Sequence, residues 1–248
     1  MSLELGTVVI IVVAISLGGL VKGVTGQGLP QIAIPVMATF LGVEAAVVIM
    51  VIPGIVTNTW FMTRHRHEFG RTRDLPVLLG SGAVGAVAGT ILLDSLNDDI
   101  LSLVAASVIV GYAVIFLSHP TLRLGPAVTR YASPPVGLAA GVLQGATGMS
   151  GPLLATYLHG FRLDKEVYIV SITTMFLVFT TVQAVALVQV GLYTTELLVL
   201  SVLSLVPIMV MMRVGVRFTD RVSRQTFDLI VLALLLATAA KLVYDGLS

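Results

Sequence analysis

Two short strings of glycine, threonine and other polar residues interrupt hydrophobic stretches of this 248-residue chain. The first string is GLVKGVTGQGLP at residues 19–30, and the second is GVLQGATGMSGP at residues 141–152. Their shared pattern, G-x-x-[KQ]-G-x-T-G with a proline four residues later, recurs at an offset of 122 residues, close to half the chain. Duplicated apolar segments broken by glycine and proline indicate the substrate site of a secondary transporter.

The chemistry expected at such breaks is the binding of an anion. Pro30 and Pro152 can each begin a new helix, because the N–H that proline lacks would be unsatisfied there in any case. A helix that restarts within a membrane presents free backbone N–H groups and the positive end of its dipole to a ligand. Lys22 is the charged residue of the strings and would offset the charge of an anion, whereas its counterpart Gln144 would supply a neutral donor.

The predicted substrate site combines positions of both strings with one asparagine of a neighbouring segment. Its residues are Lys22, Thr25, Gly26, Gln27, Gly28, Asn58, Gln144, Thr147, Gly148, Met149, Ser150 and Gly151. Asn58 is included because an amide is costly in lipid and is expected to face the interior of the helix bundle.

Ordinary structural roles compete with ligand binding at these positions. The spacing Gly19-x3-Gly23, which recurs in the second string, lets membrane helices pack closely without any ligand. Lys22 could extend its ammonium to the cytoplasmic interface, and Asn58 could form an interhelical hydrogen bond. Thr180, Thr181 and Gln183 are interpreted mainly as interhelical hydrogen-bonding residues.

No enzyme activity, cofactor or metal site is predicted. The apolar segments contain no acidic residue in their interior and no cluster of nucleophiles or metal ligands, and the chain has no cysteine. The run His65-x-His67-Glu68 is interpreted as part of a solvated basic loop. Neither string fits the phosphate-binding pattern G-x4-G-K-[ST], and a net charge of +1 from scattered residues indicates no nucleic-acid partner.

The composition indicates that lipid is the solvent of this chain. Apolar residues make up 56% and charged residues 11% of it, whereas soluble domains carry about 25% charged residues. Apolar segments lie at about 5–21, 29–42, 45–62, 75–93, 99–117, 135–148, 150–160, 167–189, 195–212 and 227–244. A crossing of the hydrocarbon core needs about 20 helical residues, so the segments next to the strings are short.

Loop charge predicts how these segments cross the membrane. Twelve of the fourteen basic residues lie in the loops 63–74, 118–134, 161–166 and 213–226. Basic loops stay cytoplasmic, and all four share one face if each short pair enters the membrane and returns. If each pair crossed once instead, the last two loops would lie outside with six basic residues.

The predicted fold is therefore an all-α polytopic membrane protein built as an inverted 5+5 repeat. Each half begins with a short broken hairpin, which is followed by three spanning helices. Residues 1–117 form the first repeat, 118–134 a cytoplasmic linker and 135–248 the second repeat, with both termini on the external side.

The doubled Gly-Thr-Gly motif, the basic loop after the third segment and the chain length together resemble the TauE/SafE sulfite-exporter family. The resemblance runs from Gly18 to the last helix. It implies a bacterial inner-membrane permease for small anions, such as sulfite or small organosulfonates, without selecting the substrate.

The predicted function is alternating-access transport of such an anion, and a small-anion channel that uses the same helix ends is the alternative. The expected partners are the anionic substrate and the lipid bilayer, while proton coupling and homo-oligomer formation are left open.

Overall fold

The fold is known from a computed structural model, which describes residues 5–69, 71–72, 74–118, 125–161 and 163–218, with the single positions 240 and 244. The chain is helical with no strand across these ranges. The helices are α1 (Leu5–Thr25), α2 (Leu29–Leu41), α3 (Val43–Arg64), α4 (Leu75–Ser95), α5 (Asp98–Ser118), α6 (Pro126–Thr147), α7 (Gly151–His159), α8 (Lys165–Val190) and α9 (Thr195–Phe218). The apolar segment predicted at 227–244 lies outside the described residues, apart from those two positions.

Several helices are long and apolar enough to cross a membrane. Within the described ranges there are five: Val8–Thr25, Val43–Arg64, Leu75–Ser95, Lys165–Val190 and Thr195–Phe218. Their outward faces are apolar, and Val84, Val188 and Val206 are each about two-thirds exposed. Exposed valines of this kind are expected on a helix face that contacts lipid, because the bilayer core contains no water. The chain is a multi-pass membrane protein.

The two helices that end in the strings are longer than the sequence predicts. Helix α1 runs for 21 residues, about 31 Å, through most of the first string. Helix α6 begins at Pro126 rather than near residue 135, so it occupies part of the predicted linker 118–134. The return helices are short, with 13 residues in α2 and 9 in α7, or about 20 Å and 14 Å. Each hairpin thus joins a long arm to a short one.

Close glycine contacts accompany the first half of each string, which is the last part of α1 or α6. Helix α1 packs along α9, and α6 packs along α4. A Cβ atom at Gly145 would collide with the backbone of α4 at Ala86, and one at Gly215 would collide with the backbone of α1 at Leu20. Removal of the side chain lets these backbones approach, as in small-xxx-small packing. Part of the glycine pattern therefore serves helix association.

Helices α3 and α8 form the centre of the bundle. They pack against each other, and 61% and 67% of their spans are buried, compared with 22% for α9. Helix α2 packs against α3, and α7 packs against α8. Both hairpins are thereby held beside the two central helices.

A proline in α3 ties this centre to α9. Pro53 has no N–H, so the carbonyl of Ile49 lacks its usual helical donor. The Ser201 hydroxyl of α9 donates to that carbonyl over 2.6 Å, and the Tyr193 hydroxyl donates to the neighbouring Val48 carbonyl over 3.3 Å. The interruption is thus satisfied from a second helix, and Pro53 precedes Asn58 by five residues on α3.

Candidate functional site

The first string folds as a break between two helices. Helix α1 ends at Thr25, and the Gly26 N–H donates to the Lys22 carbonyl over 2.8 Å. Gly26 has φ = 78° and Gly28 has φ = 100°, backbone conformations that favour glycine. The Thr25 hydroxyl lies 3.0 Å from the Val21 carbonyl and accepts a hydrogen bond from the Gln27 N–H over 3.2 Å. Pro30 then lies in the first turn of α2.

The second string repeats this geometry 122 residues later. The Gly148 N–H donates to the Gln144 carbonyl over 2.8 Å, and Gly148 has φ = 68°. The Thr147 hydroxyl donates to the Leu143 carbonyl over 2.7 Å and accepts from the Met149 N–H over 3.3 Å. The two threonine hydroxyls therefore stabilise the turns themselves.

Both breaks reach one small cavity of about 20 Å³, which is room for about one water molecule. The cavity is lined by Lys22, Pro30, Ile34, Val47, Met50, Val51, Gly54, Asn58, Gln144, Gly148, Phe176, Thr180 and Gln183. The predicted residues that it brings together are Lys22, Asn58, Gln144 and Gly148.

Lys22 is a buried basic residue in this cavity. Its side chain is 1% exposed, and its Nζ donates to Asn58 Oδ1 over 2.5 Å. Nζ also lies 5.7 Å from the ring centre of Phe176 and 6.0 Å from that of Phe61, within cation–π range. No carboxylate in the described part of the chain forms an ion pair with it. The Lys22 side chain therefore ends inside the helix bundle.

Gln144, the counterpart of Lys22, is held in a closed hydrogen-bond network. Its Nε2 donates to Gln183 Oε1 over 3.2 Å and lies 3.5 Å from Thr180 Oγ1, while its Oε1 accepts from the Ser150 hydroxyl over 2.7 Å. Gln183 Nε2 donates in turn to the carbonyls of Gln144 and Gly145 over 2.9 Å and 3.1 Å. This network anchors the second break to α8 and leaves Gln144 with little capacity for a ligand.

The other predicted residues lie around the turns and do not line the cavity. Gly26 lies beside Ile169, Gly28 beside Val21, and Gly151 beside the amide of Gln31. Met149 is buried in the apolar core, and Ser150 binds Gln144. Gln27 keeps a buried Oε1 without a hydrogen-bond partner among the described residues.

Gly54 and Phe176 are the cavity residues that sequence reasoning missed most clearly. They precede Asn58 and Thr180 by four residues, one helical turn, on the two central helices. Residues 54 and 176 are also separated by the repeat offset of 122. One helical turn back from Asn58 leads to Gly54, and adding the offset of 122 leads to Phe176, so the sequence could have identified both residues. Thr180 and Gln183 are interhelical hydrogen-bonding residues, as interpreted from the sequence, and they line the cavity as well.

The basic loop after α3 is an ordinary polar surface. Glu68 pairs with Arg71, whose guanidinium also lies 3.9 Å from Asp164. Partial burial lowers the pKa of His65, although nearby Glu166 opposes that shift. No group of three or more potential metal ligands occurs in the part of the chain that the structure describes.

An all-helical bundle with several apolar spans and a cavity at paired helix breaks is the architecture expected of a transmembrane transporter. The family model described as sulfite exporter TauE/SafE matches residues 10–242, and the chain belongs to this family. The resemblance drawn from the doubled motif is thus confirmed. Membership implies a membrane exporter of sulfite or related anions. No curated protein and no solved structure matches the chain.

Proposed function

We propose that this protein exports a small anion, sulfite or a small organosulfonate, across a bacterial inner membrane by alternating access. The observation that carries the proposal is the buried Lys22 ammonium, which has no carboxylate partner in the described residues. A buried charge is costly unless it is paired, and a bound anion would supply the missing partner.

The helix breaks add to the attraction for an anion. The first turns of α2 and α7 have no side-chain cap, so the positive ends of both helices can act on a ligand. Lys22, Asn58 and Gly148 are proposed to contact the substrate, because they line the cavity. Thr25, Thr147 and Ser150 are proposed to hold the turns in place through the hydrogen bonds described above.

The inverted repeat is proposed as the basis of alternating access, with repeats at 1–117 and 135–248. The packing supports it, because α1 against α9 has its counterpart in α6 against α4. The hydrogen bonds support it too, since Lys22 to Asn58 corresponds to Gln144 to Thr180 at the same offset. Rocking of one half against the other around the two breaks would expose the cavity to each side in turn.

Cysteine labelling tests the proposed orientation, and the chain is suited to it because it contains no native cysteine. Asn97→Cys, in the turn after α4, is expected to react with an impermeant maleimide added outside intact cells. His67→Cys, in the basic loop before α4, is expected to react only after the membrane is permeabilised. Both native residues are exposed. The opposite labelling pattern would overturn the orientation, including the external termini.

A flux assay in proteoliposomes tests the function itself. Uptake of radiolabelled sulfite is expected to saturate and to accelerate when unlabelled sulfite is trapped inside, because an alternating-access carrier returns faster when loaded. Empty liposomes give the background. Flux that rises without saturation and ignores the internal anion would favour the channel, and no flux of any small sulfur anion would refute the export proposal.

A further inference from the structure

The cavity between the helix breaks has one formal charge on its lining. Lys22 supplies it, and the other lining residues are glycines, a proline, apolar side chains, a threonine and amides. Among the described residues, therefore, Lys22 supplies the one full positive charge that faces a ligand, and the helix ends add partial charges. A second negative charge would have no full counter-charge, which is unfavourable in a medium of low dielectric constant.

Free hydrogen-bond donors are concentrated at the same end of the cavity. An ammonium has three N–H donors, and Lys22 spends one on Asn58 Oδ1. The hydrogen bond found for the Asn58 side chain among the described residues uses its Oδ1, which leaves the two N–H donors of Nδ2 for a ligand. Gln144, by contrast, has its donors and its acceptor occupied by Gln183, Thr180 and Ser150.

Apart from Gln144, Thr180 and Gln183, whose polar atoms are engaged with one another or with α6, the remaining wall of the cavity is largely apolar. Ile34, Val47, Met50, Val51 and Phe176 present hydrocarbon surface next to the Lys22 and Asn58 pair. A ligand that is charged at one end and apolar at the other would match both regions. A ligand charged at both ends would place one charge against side chains that cannot solvate it.

We infer that the site selects an anion with a single negative charge on an oxygen-rich head group and a short apolar tail. The head group binds Lys22 and Asn58, and the tail lies against the apolar wall. This inference rests on the proposed function and narrows it, because alkanesulfonates and singly charged sulfite are favoured, whereas sulfate and doubly charged organosulfonates are disfavoured.

Isothermal titration of the full-length protein in nanodiscs tests the selection by charge. Ethanesulfonate and ethanedisulfonate form the matched pair, because they share the carbon chain and differ by one sulfonate. Ethanesulfonate is expected to bind at least about tenfold more tightly at equal pH and ionic strength. Equal or tighter binding of the disulfonate would overturn the inference while leaving anion transport standing. If no anion of either charge binds, sulfite included, the proposed function fails as well.

The repeat offers a second test, a variant that is expected to gain affinity for a doubly charged anion. Gln144→Lys places an ammonium at the position equivalent to Lys22 in the other half. With two cations at the cavity, the preference is expected to shift toward ethanedisulfonate by at least about tenfold. An unchanged preference in a folded Gln144→Lys protein would contradict the charge-counting argument. The wild-type ligand pair decides the inference even if this variant does not fold.

Discussion

Lys22→Gln is expected to weaken anion binding by about 30-fold or more, which corresponds to about 2 kcal/mol or more of binding free energy. The substitution removes the ammonium of the cavity and the hydrogen bond that it donates to Asn58. A desolvated charge pair depends strongly on both partners, because the anion would otherwise be buried without a counter-charge. Titration of ethanesulfonate or sulfite into the variant in nanodiscs measures the loss.

The repeat makes this variant a fair test. Glutamine already occupies the equivalent position 144 at the end of α6, where the same turn geometry is formed, so Lys22→Gln is expected to fold and to melt close to the wild-type temperature. Lys165→Gln is the matched control, because it makes the same change at an exposed position at the start of α8. If Lys22→Gln binds the anion as tightly as Lys165→Gln does, Lys22 is not the anion partner.

Gln183→Leu is expected to lower the unfolding free energy by about 2 kcal/mol and the melting temperature by about 5 °C. Gln183 is fully buried, and its amide donates to the last carbonyls of α6 while accepting from Gln144. Leucine is of similar size but removes the hydrogen bond to the Gly145 carbonyl and weakens the hydrogen bonding of Gln144, which keeps its contact with Thr180. The expected loss is smaller than the sum of the individual hydrogen bonds, because in a membrane protein the freed groups form other hydrogen bonds in part.

Thermal unfolding in detergent, followed by intrinsic fluorescence, measures this effect. Gln189→Leu provides the control, since Gln189 lies on the same helix, carries the same side chain and is exposed. If the Gln183→Leu and Gln189→Leu proteins have the same melting temperature, the network does not anchor the second break. Lys22→Gln and Gln183→Leu together separate the two halves, because the first is expected to change binding and the second mainly stability.

The helix breaks could be predicted from the sequence because their causes are local. Glycine supplies the left-handed conformations of Gly26 and Gly148, and proline marks where α2 and α7 begin. Hydropathy predicted most of the membrane segments, since lipid requires long apolar helices. The length of α1 was underestimated because its glycines look like a break in sequence. In the bundle, those glycines face neighbouring backbones and remain helical. The start of α6 was placed too late because Pro134 and Pro135, which lie inside the helix, look like a helix start.

By itself, the sequence of this protein determined its membrane setting, the doubled motif, the family and the pairing of Lys22 with Gln144 as equivalent positions. The tertiary structure decided which polar groups face the cavity. The sequence predicts Thr25 and Thr147 as ligand-binding residues, yet their hydroxyls form hydrogen bonds within their own turns. The reason is that each polar group has few donors and acceptors, and its neighbours in space determine which of them remain free for a ligand. The contacts of Asn58, Thr180 and Gln183, on helices distant in sequence, leave Lys22 with free donors and Gln144 without them.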